Sequence, residues 1–495
     1  MKVKKDKCGC TAISIFFIIL GATLAISSIK IYDIILRKIL DLTPGGLLYK
    51  EWMKPAPSMT FDIYFFNWTN PQDFYNKSVK PSVTEIGPFR FDMIPERTNV
   101  TFNAANDTIT YGLRRWYKFN EAESPYGLDT NVTILNQLSA AAAYKSQEMN
   151  FLMKASVSMS INSMTDIHMT RKVRELLFEG SQETMLDIFR QLPFGVSKDD
   201  IPERFGFFFG KNGSSDGTFN IGTGHGTKQL GMLFNWNEKN HTNFYGNSCN
   251  TVEGAAVDFF TDNIEKQTIF IYNPELCRRF PLDFVGKSTV HGIEGYRFEV
   301  GDSLLDNGTI IPGNECFCAD QCMRYGVFPA TLCKGHANNF LSLPHFHKAD
   351  PFYASLVEGM KPDAKKHNFY LVVEPTTGIL LKMKARLQMT IYVTDFPSIS
   401  MFREAPTLLF PIMRFENSFK IPEVGAFSLG ILLSLKGVMI CVGSVLVLLG
   451  TLIYLIFVFE LGRKKHLIHE DDRYCLPEEM NPLNQKHEKG GSKKL

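Results

Sequence analysis

Six cysteines, Cys249, Cys277, Cys316, Cys318, Cys322 and Cys333, are crowded into one stretch of the chain. An even set at this density reads as three disulfides in an oxidising compartment, and spacing alone does not choose among the possible connectivities. Cys-x-Cys-x3-Cys spacing could also hold zinc, a reading that an oxidising compartment disfavours. Asparagine chemistry points to the same compartment. Asn67, Asn76, Asn99, Asn106, Asn131, Asn212, Asn240 and Asn307 each begin Asn-x-Ser/Thr without proline, the acceptor pattern for N-glycosylation. Other constellations fall short of chemistry. Gly213-Ser214-Ser215-Asp216-Gly217 matches the hydrolase nucleophile pattern, but a glycine-rich stretch follows where a helix is needed, and Ser214 belongs to a sequon. Gly222, Gly224 and Gly226 lack the full phosphate-binding spacing. His345 and His347 flank Phe346 and on a strand would share a face, as metal ligands or as ordinary polar residues. With no His-Glu-x-x-His or kinase pattern in the chain, the reading is a non-enzyme that needs no cofactor and no metal.

All eight sequons and all six clustered cysteines lie between two apolar runs, Thr11–Ile29 and Gly437–Phe459, neither of which carries a charge. About 20 apolar residues span a bilayer core. Lys436, just outside the second run, can snorkel to the headgroups. Lys2, Lys4, Lys5 and Lys7 before the first run, with Ala25 as a possible cleavage point, also resemble a secretory signal, but the run is long for one and reads as an uncleaved anchor. Arg463, Lys464 and Lys465 follow the second run, as cytoplasmic flanks do. Lys30, Arg37 and Lys38 blur the charge rule at the first run, and the sequons break the tie. The expected organisation is a cytoplasmic tail (1–10), a span (11–29), an exported ectodomain (30–436), a second span (437–459) and a cytoplasmic tail (460–495) that is polar and disordered. Cys8 and Cys10 abut the first span and are candidates for palmitoylation, whereas Cys441 reads as a small apolar residue.

Within the ectodomain, alternation of period two dominates. Phe61, Ile63 and Phe65 alternate with Asp62, Tyr64 and Phe66, and Phe89 and Phe91 with Arg90 and Asp92. Leu381–Val393 predicts one long strand with a buried and a polar face, and shorter strands are expected at Tyr296–Val300 and Phe369–Glu374. Ile31–Asp41 continues the first helix to a breaker at Thr43-Pro44-Gly45-Gly46. The block 136–191, poor in glycine and proline, predicts helices over Leu138–Met159, Thr170–Glu179 and Ser181–Gln191, the last capped by Ser181. Asn212–Asn250, rich in glycine and asparagine, reads as turns. The 41 phenylalanines suit buried sheet surface. A formal net charge of +2 over 495 residues argues against a nucleic-acid partner.

Two terminal spans, a sequon-rich loop and six cysteines in its second half resemble the class B scavenger receptor family, which includes the croquemort-like proteins of insects. Glu85-Ile86-Gly87-Pro88-Phe89, Arg174-Glu175-Leu176-Leu177, Cys316-Phe317-Cys318, Ser342-Leu343-Pro344-His345-Phe346, Glu374-Pro375-x-x-Gly378 and Pro411-Ile412 occur in the family's order across essentially the whole chain. The resemblance implies an α+β fold: an irregular antiparallel β-barrel, an apical helical bundle at 136–191 and an apolar tunnel. It also implies the pairs Cys249–Cys316, Cys277–Cys333 and Cys318–Cys322.

The implied function is a cell-surface receptor that binds lipid-rich or anionic ligands (lipoproteins, fatty acids, phospholipids of apoptotic cells or microbes, lipid-bearing particles) and mediates their uptake or lipid transfer through an ectodomain tunnel, alone or as an oligomer. Some relatives carry lysines in the apical segment, but Ala155–Thr170 here contains no Lys or Arg, so the nearest cationic candidates are Lys145, Lys154, His168, Arg171, Lys172 and Arg174. Methionines 149, 153, 159, 164 and 169 give the same region an adaptable apolar character, or pack its core. A lysosomal sorting receptor and lipid exporter is the alternative within the family, although Leu467-Ile468 and Tyr474-Cys475-Leu476-Pro477 are poor sorting signals. A two-span ligand-gated channel is the alternative outside it. Gly443, Ser444, Gly450 and Thr451 in the second span could serve a pore, but small residues commonly pack helices.

Overall fold

The structure is a computed structural model that describes residues 2–55, 59–191, 201–225, 229–256, 259–318, 322–330 and 338–471. It divides into two units, one formed by the chain ends (1–34 and 431–495) and one by residues 35–430.

In the first unit two long helices run together. α1 spans Lys2–Ile39 and a C-terminal helix spans Glu423–Asp471. Their apolar stretches, Thr11–Ile39 and Glu423–Leu461, are long enough to cross a bilayer. Glycine sets their contact: a Cβ on Gly21 would lie 2.5 Å from the Gly443 carbonyl oxygen, and one on Gly450 2.8 Å from that of Ser14. Two of the small residues that could have lined a pore therefore face the partner helix. The helix also runs on through Arg463, Lys464 and Lys465, where disorder is expected, because Leu, Arg, Lys and Glu propagate an established helix well. Residues 472–495, including Tyr474 to Pro477, lie outside the described residues.

The second unit is α+β. After α1 and the breaker comes a short helix, α2 (Leu47–Met53). Then follow β1 (Met59–Trp68), β2 (Val83–Asn103), β3 (Thr108–Phe119), β4 (Asn131–Leu135), α3 (Gln137–Lys145), α4 (Phe151–Met164), β5 (His168–Lys172) and α5 (Thr184–Gln191). The remaining strands are β6 (Ser215–Gly222), β7 (Leu233–Trp236), β8 (Ile269–Asn273), β9 (Arg278–Val290), β10 (Ile293–Glu299), β11 (Val327–Pro329), β12 (Asn339–Ser342), β13 (Tyr370–Val373), β14 (Leu380–Val393) and β15 (Leu408–Lys420).

One antiparallel sheet carries the order β7-β6-β3-β2-β1-β15-β14-β13-β10-β9-β8, with β12 and β11 branching from β14. Residues 254–255 join its two edges. Leu233 N–H donates to Gly254 O at 2.9 Å, and Ala255 exchanges hydrogen bonds with Phe270 and Tyr272 at 2.8 and 3.0 Å. The sheet is thus nearly closed, which hides the unpaired groups of both edges. Only glycine fits at 254: its φ is +117°, and a Cβ would sit 2.7 Å from the Phe270 oxygen.

Alternation sends one apolar set inward as the sequence predicts, although in β1 Asp62 and Phe66 of the opposite set are buried as well. Phe61, Ile63, Phe65, Phe89, Phe91, Leu387 and Met413 enter one apolar core that also takes Leu138, Val157 and Ile161 from the helices. β14 departs from expectation, because Arg386, Gln388 and Thr390 on its polar face are buried as well. Each finds a partner there: Arg386 the Glu416 carboxylate, Gln388 the His345 N–H, Thr390 the Phe340 carbonyl.

Four further expectations are corrected. The helix expected over Leu138–Met159 is broken at Asn150, whose side chain accepts from Met153 N–H at 3.0 Å and starts α4 afresh. Thr170–Glu179 is not a helix throughout: His168–Lys172 pairs with β4, burying Met169, and a wide helical turn follows at Glu175–Glu179. Ser181 does not cap α5. Its backbone bridges Phe205 in both directions at 2.8 Å, and the helix begins at Thr184. The turn-like stretch Asn212–Asn250 also contains β6 and β7, because Phe219 and Ile221 alternate into the core and pairing with β3 overrides weak propensity.

Candidate functional site

The helical block is fastened to the barrel by buried apolar side chains and a few polar bonds. Asn136 caps α3, accepting from Ser139 N–H at 3.2 Å. Val157 and Ile161 anchor α4 in the core, while Ser158 Oγ bonds Ser400 Oγ and accepts from the Ser400 N–H, both at 3.0 Å. The opposite face of α4 carries Phe151, Leu152 and Met159, which are 82%, 77% and 75% exposed. Helical spacing places these three, with Ala155, on one stripe, so an apolar patch stands in water.

The cations proposed for this region are mostly committed elsewhere. Arg171 makes two bonds to Glu183, at 2.9 and 3.2 Å. Lys172 and Arg174 share Asp129, at 3.1 and 2.7 Å, and Arg174 also approaches Glu179. Hydrogen bonds from Lys172, and then Arg174, hold the Asp129 carboxyl below the usual carboxylate range. Lys145 and Lys154 are half-buried and have no ion pair among the described residues. His168 lies half-buried on β5 with its ring edge-on to Trp68, 6.3 Å between centres, and its Nδ1 is buried without a hydrogen-bond partner. The methionines split: Met169 is buried, Met149 packs on the core, Met153 is half-buried, and Met159 and Met164 are exposed.

Beneath the helices the barrel interior is aromatic. Phe61 meets Tyr117, Phe208 and Phe415 at 5.5, 5.3 and 6.0 Å. Phe178, from the wide helical turn, stacks on Phe208 at 5.6 Å and meets Phe91 at 5.0 Å. These rings belong to the same continuous apolar core as Val157 and Ile161 of α4.

The wall of the barrel holds buried charge that sequence reasoning missed. Arg90, Asp62, Glu416 and Arg386 stand in register across β2, β1, β15 and β14. Arg90 grips Asp62 with two bonds of 2.6 Å, and Lys384 and Arg386 both bond Glu416. A second cluster joins two of the sequence motifs. Arg414 makes two 2.7 Å bonds to Glu85, whose Oε2 also meets His345 Nε2 at 2.9 Å. His345 stacks on His367, 4.4 Å between centres, and the Nδ1 atoms of the two rings accept from Lys361 and Asp363 N–H. Burial alone would raise Glu85 and Glu416, but hydrogen bonds to Arg414 and His345, and to Arg386 and Lys384, outweigh it and hold both carboxyls at about 2. Burial, with the nearby charges of His345 and Arg414, pushes His367 down to about 3. His345 and His347 do not share a strand face: His345 sits in a tight turn with φ +54°, and His347 bonds Asn368 at 2.9 Å.

Cys249–Cys316 and Cys318–Cys322 are bonded. Cys277 is disulfide-bonded too, and Cys333 lies outside the described residues. Cys8 and Cys10 fall within α1, and Cys441 is a free, exposed thiol. Asn76, Asn99, Asn106, Asn131, Asn212 and Asn240 are exposed, whereas Asn67 and Asn307 are half-buried. Asn67 accepts from Thr133 N–H at 2.8 Å, tying β1 to β4. At the hydrolase-like pattern Ser215 opens a strand, not a helix.

Comparison with known proteins gives a consistent result. The model of the CD36 family matches residues 12–461. Protein peste of Drosophila melanogaster is 31% identical over 77% of this chain and 69% of its own length. Scavenger receptor class B member 1 of Rattus norvegicus is 28% identical over 77% and 74%. Lysosome membrane protein 2 of Homo sapiens is 26% identical over 90% of this chain and 92% of its own.

Proposed function

As this chain belongs to the CD36 family, we propose that it is a plasma-membrane scavenger receptor that grips lipid-rich particles at α4 and mediates their uptake or lipid transfer. In this reading α1 and the C-terminal helix span the bilayer, both tails are cytoplasmic, the sequons carry glycans, and Cys277 pairs with Cys333. The observation that carries the reading is the exposed stripe of Phe151, Leu152 and Met159 above a core that continues into an aromatic barrel. Exposed apolar side chains of this size gain free energy when a lipid surface covers them, about 0.8 kcal/mol per buried CH2. Adaptable methionine suits a surface that accepts many lipid shapes. The barrel's rings are the natural lining of a conduit for single acyl chains.

Charge has the smaller part here. Arg171, Lys172 and Arg174 already satisfy acidic neighbours, which leaves Lys145 and Lys154 to meet anionic headgroups. The test is particle binding by cells that display the chain. Phe151→Ser/Leu152→Ser/Met159→Ser should lower binding of lipoproteins or phosphatidylserine vesicles at least tenfold, and Lys145→Ala/Lys154→Ala should lower it less. Unchanged binding by the triple variant at equal surface expression would remove α4 from the account. Steady-state accumulation in lysosomes would replace the plasma-membrane reading with that of a sorting receptor.

A further inference from the structure

The disulfide-bearing segment borders a small, partly open cavity beside a buried cation. Arg278 opens β9 immediately after the disulfide-bonded Cys277 and is 1% exposed. Its guanidinium carbon lies 3.5 Å from the centre of the Phe317 ring, with Phe328, Phe280 and Tyr245 at 5.4, 5.8 and 6.0 Å. Cation–π contact offsets part of the charge but gives the in-plane N–H groups no acceptor. Nε and Nη1 are both buried without a hydrogen-bond partner, and no carboxylate pairs with Arg278 among the described residues. The contrast with Arg386 and Arg414 is plain, since each of these is held by a carboxylate. Burial pushes Arg278 down to about 10, so the group is still a cation at neutral pH.

The cavity is lined by Arg278, Leu304, Asn307, Asn314, Phe317 and Met323, among others, and has room for about one water-sized body. Asp306 also lines it but is already saturated. Its oxygens accept from the N–H groups of Gly308, Ile310 and Ile311 and from the Thr309 hydroxyl, at 2.9 to 3.2 Å. Asn314 Nδ2 reaches only the Ser303 carbonyl, at 3.5 Å. The space therefore joins a buried cation, a weakly used amide donor, apolar walls and, to one side, the Asp306 carboxylate whose oxygens are already taken up, and its room suits a body about the size of one water. Water would supply an acceptor but no counter-charge.

We propose that this cavity is a halide site, in which one chloride ion accepts from the Arg278 guanidinium edge and from the Asn314 amide. A monatomic anion matches the room, the charge and the absence of any proton to give. It would tie β9 to the 302–318 segment in the way that Glu416 ties β15 to β14. The inference does not depend on what the receptor binds.

The test uses the full chain in detergent micelles, with sodium chloride replaced by sodium gluconate at constant ionic strength and pH. The midpoint of thermal unfolding should rise by about 3 °C per hundredfold increase in chloride above saturation onset, and bromide should substitute. Crystals grown in bromide should show an anomalous peak within hydrogen-bond reach of Arg278. Asn314→Ala should shrink the chloride response and Arg278→Met should abolish it. A midpoint that is the same in chloride and gluconate would overturn the site, as would a bromide-soaked cavity holding no anion. A full chloride response in Asn314→Ala with the peak elsewhere would overturn it equally. Should Arg278→Met fail to fold, the wild-type titration and the bromide map still decide the matter.

Discussion

The wall of the barrel and the outer face of α4 invert each other. The wall buries charge: Glu416, Arg386 and Arg414 sit out of water and Glu85 is half-buried, each matched to an opposite charge. α4 does the reverse and holds Phe151, Leu152 and Met159 in water. In the wall, geometry is over-determined, since removing one partner strands another. On α4 nothing in the described fold needs those side chains where they are. Stability resides in the first region, and freedom to meet a partner in the second.

The largest effect should come from breaking a wall pair on one side. Arg414→Met leaves the half-buried Glu85 with His345 alone and should cost about 1–3 kcal/mol, read as a loss of unfolding midpoint. A cost below about 1 kcal/mol would mean that the wall relaxes as a surface does. Acid should come next. His367 is held at about 3 against an ordinary value of 6.5, so below 6.5 the unfolded chain binds a proton that the folded one refuses. Stability should fall as pH drops from 6.5 towards 3, and further from 4.5 towards 2 as Glu85 and Glu416 are forced to protonate. His367→Gln should flatten the part of the unfolding-midpoint curve between pH 6.5 and 4.5, and an unchanged slope would assign that loss to another group. On α4, Phe151→Ser, Leu152→Ser and Met159→Ser should each change stability by no more than about 0.5 kcal/mol while particle binding falls. A larger destabilisation would show that the stripe packs against something in the native protein. Smallest of all, Lys172→Ala should barely move the unfolding midpoint, and less still in high salt, because its pair with Asp129 is exposed.

Much of the fold was legible in the sequence where period and environment agree. Phe61, Ile63 and Phe65 alternate into the core as the period implies, although Asp62 and Phe66 on the other face of the strand are buried too. Leu381–Val393 was legible as a strand but not as a buried wall, because Arg386 and Gln388 look solvated until Glu416 and His345 arrive from distant segments. The same reason hid the Glu85–Arg414–His345–His367 cluster, whose members span 85 to 414 in the chain. His168–Lys172 reads as helix by composition, yet pairing with β4 decides otherwise. At the apex the cations were legible as residues but not as partners. Asp129, Glu179 and Glu183 take up three of them, and no spacing rule links Asp129 to Arg174.

The pairing of β1 with β15 has a consequence in time. Met59 lies opposite Phe419, so the central seam of the sheet joins the first strand to the last. A ribosome adds about 5–20 residues per second, so β1 stands with one edge unsatisfied for on the order of 20–70 s after it is made. During that interval β2 can cover its other edge, and β3 can follow, but the barrel cannot shut. Synthesis and closure are therefore separate events. A chain arrested just short of β15 would hold most of the core's side chains and still present an open, sticky seam to whatever chaperone attends it.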